Sequence, residues 1–122
     1  MEAQDAVRRL QALAQETRLA IFRMLVRAGV EGMPAGDLAR ALEIPANTLS
    51  AHLNLLANAG LAAGRREGRS IIYSARYDTM SDLLVYLMED CCQGRPEVCA
   101  PLTDAAQRVA CCPAMPAPEA LS

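Results

Sequence analysis

Five stretches of the chain repeat their apolar residues at helical spacing, and one stretch between the fourth and the fifth does not. The spacing predicts a helix over 3–14, with Val7, Leu10 and Ala14 on one face. A second covers 16–28, with Ile21, Phe22, Leu25 and Val26 inward and Gly29 ending it. After a loop holding Gly32 and Pro34, a third helix over 35–42 has Leu38, Ala41 and Leu42 as its apolar side. Glu43-Ile44-Pro45 turns into a fourth over 45–59, where Leu49, Leu53 and Leu56 fall at i, i+4 and i+7. Pro45 suits a helix start, where its missing N–H costs nothing, and Gly60 suits a C-terminal cap. Two short runs follow, 61–66 and 69–74, joined by Glu67-Gly68, an acidic residue and a glycine that signal a hairpin. A fifth helix begins after Tyr77-Asp78, with Thr79 and Asp82 placed as a capping box. Its stripe of Met80, Leu83, Leu84, Leu87 and Met88 continues to Cys91, and Gly94 and Pro96 stop it. Beyond that the period is lost, Pro and Ala accumulate, and the end of the chain reads as a disordered tail.

The opposite face of the fourth helix carries Asn47, Ala51, Asn54 and Asn58, a neutral, hydrogen-bonding surface without acids. Two helices joined by a three-residue turn, the second polar outside, form a helix-turn-helix. The hairpin that follows is tipped with arginine: Arg65, Arg66, Arg69 and Arg76 lie close together with only Glu67 among them. The expected fold is mainly α with a small β-hairpin, a winged helix-turn-helix of five helices and a two-stranded wing. The expected partner is double-stranded DNA. Asn47, Thr48, Ser50, His52 and Asn54 would face base edges, and Arg65, Arg66 and Arg69 would contact phosphates or the minor groove.

The net charge of −2 conceals an asymmetry that supports this reading. Residues 1–76 hold ten arginines against seven acids, and 77–122 hold two against seven; there is no lysine. A locally basic patch is what binding to nucleic acid needs, whatever the total. A chain of 122 residues gives one DNA-binding and dimerisation domain over 1–93, followed by a cysteine-containing extension over 94–122. With one Phe, three Tyr and no Trp, Leu, Ala, Met and Val must fill the core, which favours helices packed on helices. The stripe of Met80, Leu84 and Leu87, with Val7 and Leu10, is more apolar than one small domain needs, and predicts an isologous homodimer. No segment nears about 18 consecutive apolar residues and the start lacks the apolar region of a secretory signal, so the expectation is a cytoplasmic protein without membrane or further protein partners. One histidine, with no nucleophile and orienting group arranged about it, speaks against an enzyme.

The segments ETRLAIFRML, GDLARAL, NTLSAHLNLLANAGL and RREGRSIIY, taken in order, resemble the metal-responsive winged-helix repressors of the ArsR/SmtB type over roughly residues 5–90. The resemblance implies a homodimer built from the first and fifth helices, repression by the apo protein, and release on binding a thiophilic or transition-metal ion. Members of the family differ in where they sense. The arsenic pattern around the third helix needs cysteines, and GMPAGDLAR has none. Zinc and nickel sites on the fifth helix need imidazoles, yet the single histidine is His52, and Asp78 and Asp82 have no imidazole beside them. Persulfide sensing needs a cysteine in the second helix, which 16–28 lacks.

What remains is Cys91-Cys92 followed by Cys99. Adjacent helical residues point about 100° apart, so the first two converge only where the helix frays, and Gly94 and Pro96 let Cys99 return toward them. Three thiolates without nitrogen or carboxylate favour a soft centre. The set resembles that of a subclass sensing arsenite just beyond the fifth helix, which implies As(III), or else Sb(III) or methylarsenite, as the effector. The competing reading is a thiol-based metal-binding or redox-sensing protein holding zinc, cadmium, lead or methylarsenite. Cys111 or Cys112 would supply the fourth sulfur of a zinc site; otherwise that pair is an auxiliary scavenger or a second weak site.

Overall fold

Leu49, Leu53 and Leu56 are all at most 1% exposed, and the fold is laid around the helix that carries them. In a computed structural model describing residues 1–88, this helix is α4 (Ala46–Asn58), preceded by α1 (Ala3–Leu13), α2 (Glu16–Ala28), β1 (Met33–Pro34) and α3 (Ala35–Leu42). It is followed by β2 (Ala62–Glu67), β3 (Ser70–Ala75) and α5 (Tyr77–Met88). Ile21, Phe22 and Leu25 of α2, Leu38 of α3 and Leu61 close around the α4 leucines. Each fully buried aliphatic side chain contributes about 1.5–3 kcal/mol, and seven of them form the centre of the core.

The wing has three strands where the sequence predicted two. They run in the order β1-β3-β2, all antiparallel, with Met33 opposite Tyr73 and Pro34 opposite Ile72. Pro34, which lacks an N–H to donate, sits on an edge strand, where that lack is tolerated. In the hairpin Glu67 pairs with Ser70, so the turn is Gly68-Arg69, one residue later than expected, and Glu67 ends the strand. Gly68 has φ +63°, the glycine-favouring first position of a two-residue turn that matches strand twist.

Helix ends are settled largely by distant side chains. α4 closes with a left-handed Gly60, whose N–H donates to Ala57 O at 2.9 Å while Leu61 N–H donates to Leu56 O at 3.0 Å. The Ala59 carbonyl left over accepts from Arg9 Nε at 3.0 Å. Arg18 Nε donates to Ala12 O at 2.7 Å, and the Tyr77 hydroxyl donates to Val26 O at 2.9 Å.

α1 buries Ala6 and Ala12, while Val7 and Leu10 are 51% and 41% exposed. The face carrying Val7 and Leu10, expected at a dimer interface, therefore looks out from the single chain. α5 starts at Tyr77, with the Arg76 carbonyl accepting from Met80 N–H at 3.0 Å. Thr79 consequently lies inside the helix and is buried, and does not form the capping box expected with Asp82. The first-turn acid is Asp78, whose carboxylate accepts two hydrogen bonds from Arg76, at 3.2 and 3.0 Å. No helix among the described residues is long and apolar enough to cross a membrane.

Candidate nucleic-acid interface

The turn between α3 and α4 is tight because Glu43 takes a left-handed conformation (φ 55°, ψ 47°). Its neighbour Ile44 then donates its N–H back to Ala39 O at 3.2 Å, and Pro45 becomes the N-cap of α4. Packing Leu49, Leu53 and Leu56 inward leaves Asn47, Thr48, Ser50, Ala51 and Asn54 exposed on the other side. Asn47 Oδ1 accepts from Thr48 N–H at 3.0 Å, a local bond at the first turn. No acid lies in that turn, so the positive end of the helix dipole faces solvent uncompensated. His52 sits at the edge of this surface, half-buried; its Nδ1 is enclosed and has no hydrogen-bond partner among the described residues.

The strand register distributes the wing arginines over two faces. Arg66 shares a face with Ile71 and Tyr73, and Arg65 shares the other with Ile72. Arg65 is braced: its Nε donates to Glu67 Oε2 at 2.7 Å and its Nη2 to Glu31 O at 2.9 Å. Arg66, near the end of β2, and Arg69, in the turn, are exposed and make no side-chain hydrogen bond among the described residues. Arg76, counted with them in sequence, is turned to Asp78 instead. That hydrogen-bonded pairing holds the Asp78 carboxyl below the usual carboxylate range, helped by the Thr79 N–H, and raises the guanidinium further. Arg40 is likewise paired, with Asp37 one turn earlier on α3.

The structure thus gathers Asn47, Thr48, Ser50 and Asn54 on one exposed helix face, sets His52 at its border, and places Arg65, Arg66 and Arg69 on the wing. The residues expected at a dimer interface divide. Val7, Leu10, Leu84 and Leu87 are exposed, whereas Met80 is half-buried and packs against the core. Leu84 and Met80 border an apolar groove of about 430 Å³ with Leu13, Leu19, Phe22 and Val26. The expected effector ligands Cys91, Cys92 and Cys99, together with Cys111 and Cys112, lie outside the described residues. Among the described residues no group of three or more His, Cys, Asp and Glu is placed to hold a metal ion. Two bonds around this surface escaped the sequence: the Arg65 brace on Glu31, and the hold of Arg9 on the end of α4. Both bonds join residues more than thirty positions apart, and no local pattern signals them.

The family pattern of a helix-turn-helix domain matches residues 13–65, which span α2 to the wing. The chain is 47% identical over 70 residues to the HTH-type transcriptional regulator NmtR of Mycobacterium tuberculosis, a stretch covering 57% of this chain and 55% of that protein. It therefore spans little more than half the length of NmtR. It is 37% identical over 79 residues to the uncharacterized HTH-type transcriptional regulator YceK of Bacillus subtilis, covering 65% of this chain and 78% of that one. Among solved structures, it resembles the homodimeric winged helix-turn-helix DNA-binding domain of a possible ArsR-family transcriptional regulator from Mycobacterium bovis. The TM-score is 0.59 and the identity 29%, over 71% of this chain and 80% of that one. The order of elements, the acid-free outer face of α4 and these relatives converge: the chain belongs to the ArsR/SmtB-type family of winged helix-turn-helix transcriptional regulators.

Proposed function

We propose that the protein is an arsenic(III)-responsive transcriptional repressor whose apo homodimer binds operator DNA and lets go when trivalent arsenic or antimony binds Cys91, Cys92 and Cys99. The observation that carries the DNA half is the acid-free polar face of α4 beside the exposed Arg66 and Arg69. In a two-fold dimer, two such helices enter successive major grooves of an inverted repeat with half-sites about 34 Å apart or a multiple of it. Side chains of Asn47, Thr48, Ser50, His52 and Asn54 meet base edges there, and the wing arginines contact the backbone. With Nδ1 enclosed and unpartnered, His52 offers Nε2 to the DNA.

The effector half rests on donor chemistry. Cys91, Cys92 and Cys99 offer three soft thiolates within nine residues, just past α5, and every cysteine of the chain lies beyond residue 88. Trivalent arsenic supplies a soft centre that accepts three thiolates. Binding there acts on the dimer rather than on the DNA face, so repression and release are linked by a coupling free energy. Typical couplings of about 1–3 kcal/mol lower affinity about 5- to 150-fold. The thiols must ionise to bind, so arsenite affinity falls as pH drops well below about 8.5.

The test is DNA binding by fluorescence anisotropy, on duplexes that the apo protein selects from a random library, with and without arsenite. Wild type is expected to be released. Protein carrying Cys91→Ser, Cys92→Ser and Cys99→Ser together should bind equally well and stay bound. The Cys111→Ser/Cys112→Ser protein should still respond. Release of the triple variant by arsenite would overturn the assignment. Release by zinc, cadmium, lead or an oxidant, with arsenite inert, would support the competing thiol-sensor reading.

A further inference from the structure

We infer that Arg9 is a positioning residue for operator recognition: it fixes the tilt of α4 against α1, and so the half-site spacing that the dimer accepts. This rests on the proposed reading of the protein as a dimeric operator-binding repressor. Arg9 is half-buried on α1, and its Nε donates to the carbonyl of Ala59, the last residue of the α4 cap, at 3.0 Å. The neighbouring Gly60 (φ +80°) is where two helices close in: a Cβ there would lie 3.6 Å from Arg9 Nη2 and 3.8 Å from Thr79 Cγ2 of α5. One residue further on, the carbonyl of Leu61 accepts from Arg76 N–H at 2.8 Å, at the start of α5. The C-terminal end of α4 is thus held by α1 through Arg9, and the segment just past it is tied to the start of α5 through the Arg76 N–H, with the Thr79 methyl close to Gly60.

Charge adds to geometry. The last turn of α4 holds no basic residue of its own. Arg9 therefore supplies the only cation, among those hydrogen-bonded to α4 in the described residues, at the negative end of the helix dipole. Helices α1 and α5 also carry the exposed apolar residues Val7, Leu10 and Leu84. In a dimer formed through those side chains, the angle and distance between the two recognition helices are set at these joints and not by α4 itself. A chain lacking the Arg9 bond keeps its reading face but loses the fixed relation of one face to the other. Arg9 touches no DNA and acts wholly through α4.

Full-length Arg9→Met and Arg9→Lys proteins are compared with wild type on three duplexes. These are an inverted repeat selected from a random library by wild type, the same repeat with one base pair inserted or removed at its centre, and a single half-site. Arg9→Met should match wild type on the half-site, weaken about tenfold on the repeat, and tolerate the altered spacing with little further loss. Arg9→Lys, which keeps the charge, should restore part of the spacing discrimination. Melting temperature and sedimentation measured alongside separate positioning from folding. Wild-type affinity and wild-type spacing discrimination in Arg9→Met would overturn the inference. So would equal weakening on half-site and repeat, which marks a merely structural residue. Should Arg9→Met not fold, unchanged spacing discrimination in Arg9→Lys with a lost Ala59 bond, read from the amide resonances around Gly60, overturns it as well. If wild type selects no repeated sequence at all, the operator-binding reading falls, and this inference with it.

Discussion

Gly32 lies so close to Tyr73 that a Cβ placed on it would overlap the Tyr73 carbonyl oxygen. Its φ of +77° adds a backbone cost for any other residue. Gly29 has a similar φ, +79°, yet nothing lies within 4 Å of its would-be Cβ. Gly29, with ψ −167°, sits in a backbone region that is nearly glycine-only, so Gly29→Ala should cost about 1–3 kcal/mol, the backbone penalty alone. Gly32→Ala should cost clearly more and detach β1 from β3. Urea unfolding of the two variants measures the difference, and equal losses would mean that β1 does not hold the wing.

Tyr77 ties the start of α5 to the end of α2 through its bond to Val26 O. Tyr77→Phe keeps the ring and removes only the donor. It should lower stability by about 0.5–1.5 kcal/mol in denaturant titration. A neutral result would show that water serves the Val26 carbonyl as well as the hydroxyl does.

On the wing, Arg66→Ala and Arg69→Ala should leave stability within about 0.5 kcal/mol of wild type, because both side chains are exposed. Each should weaken DNA binding similarly across sequences and reduce the salt slope by about 1. Arg65→Ala should also loosen the wing, since it removes the brace on Glu31 and Glu67. Affinity and salt slope unchanged in Arg66→Ala and Arg69→Ala together would remove the wing from the DNA interface.

Leu84, 50% exposed in the single chain, tests the dimer. Leu84→Asp puts a charge into the proposed isologous contact twice, once from each protomer. Sedimentation at micromolar concentration should show monomers, and operator binding should fall in parallel. A wild-type monomer under the same conditions would sink the proposed assembly.

The Arg76–Asp78 pair gives a pH dependence of known sign. The Asp78 carboxyl is held below its ordinary range, so its contribution is complete above the ordinary carboxylate pKa and fades as pH falls through the lowered value. Wild type and Asp78→Asn should therefore differ in melting temperature at neutral pH and converge under acid. The gap will be small, because both partners are solvent-exposed. A gap that widens on acidification would contradict the pairing.

The α-helical frame was legible because its signals are local. Leu49, Leu53 and Leu56 repeat at helical spacing and are buried, and Gly60 closes α4 from where the sequence placed a cap. The exposed face of α4 follows from the same period. What was illegible depends on residues far apart in the chain. β1 is two residues long and includes a proline, and it exists only because Tyr73 and Ile72 lie opposite it. The hairpin turn was displaced by one residue because Glu67 pairs with Ser70, a choice that Gly68 and not Glu67 dictates. The interior side of α1 carries no large side chain to mark it, because the helix packs through Ala6 and Ala12. Thr79 resembled a cap by spacing, and yet α5 had already begun two residues earlier.

The bonds from Arg9 to Ala59 and from Tyr77 to Val26 span 50 and 51 positions of the chain. Neither can form until segments that distant have met, after the entropy of closing those loops has been spent and the core leucines have come together. They are therefore expected to close late on the folding route, so that Arg9→Met or Tyr77→Phe should leave the refolding arm of a denaturant chevron nearly unaltered. Their influence should fall on escape from the native state: each variant should unfold faster, making these two side chains set how long a folded molecule persists more than how quickly it is made, and a slowed refolding arm would contradict this.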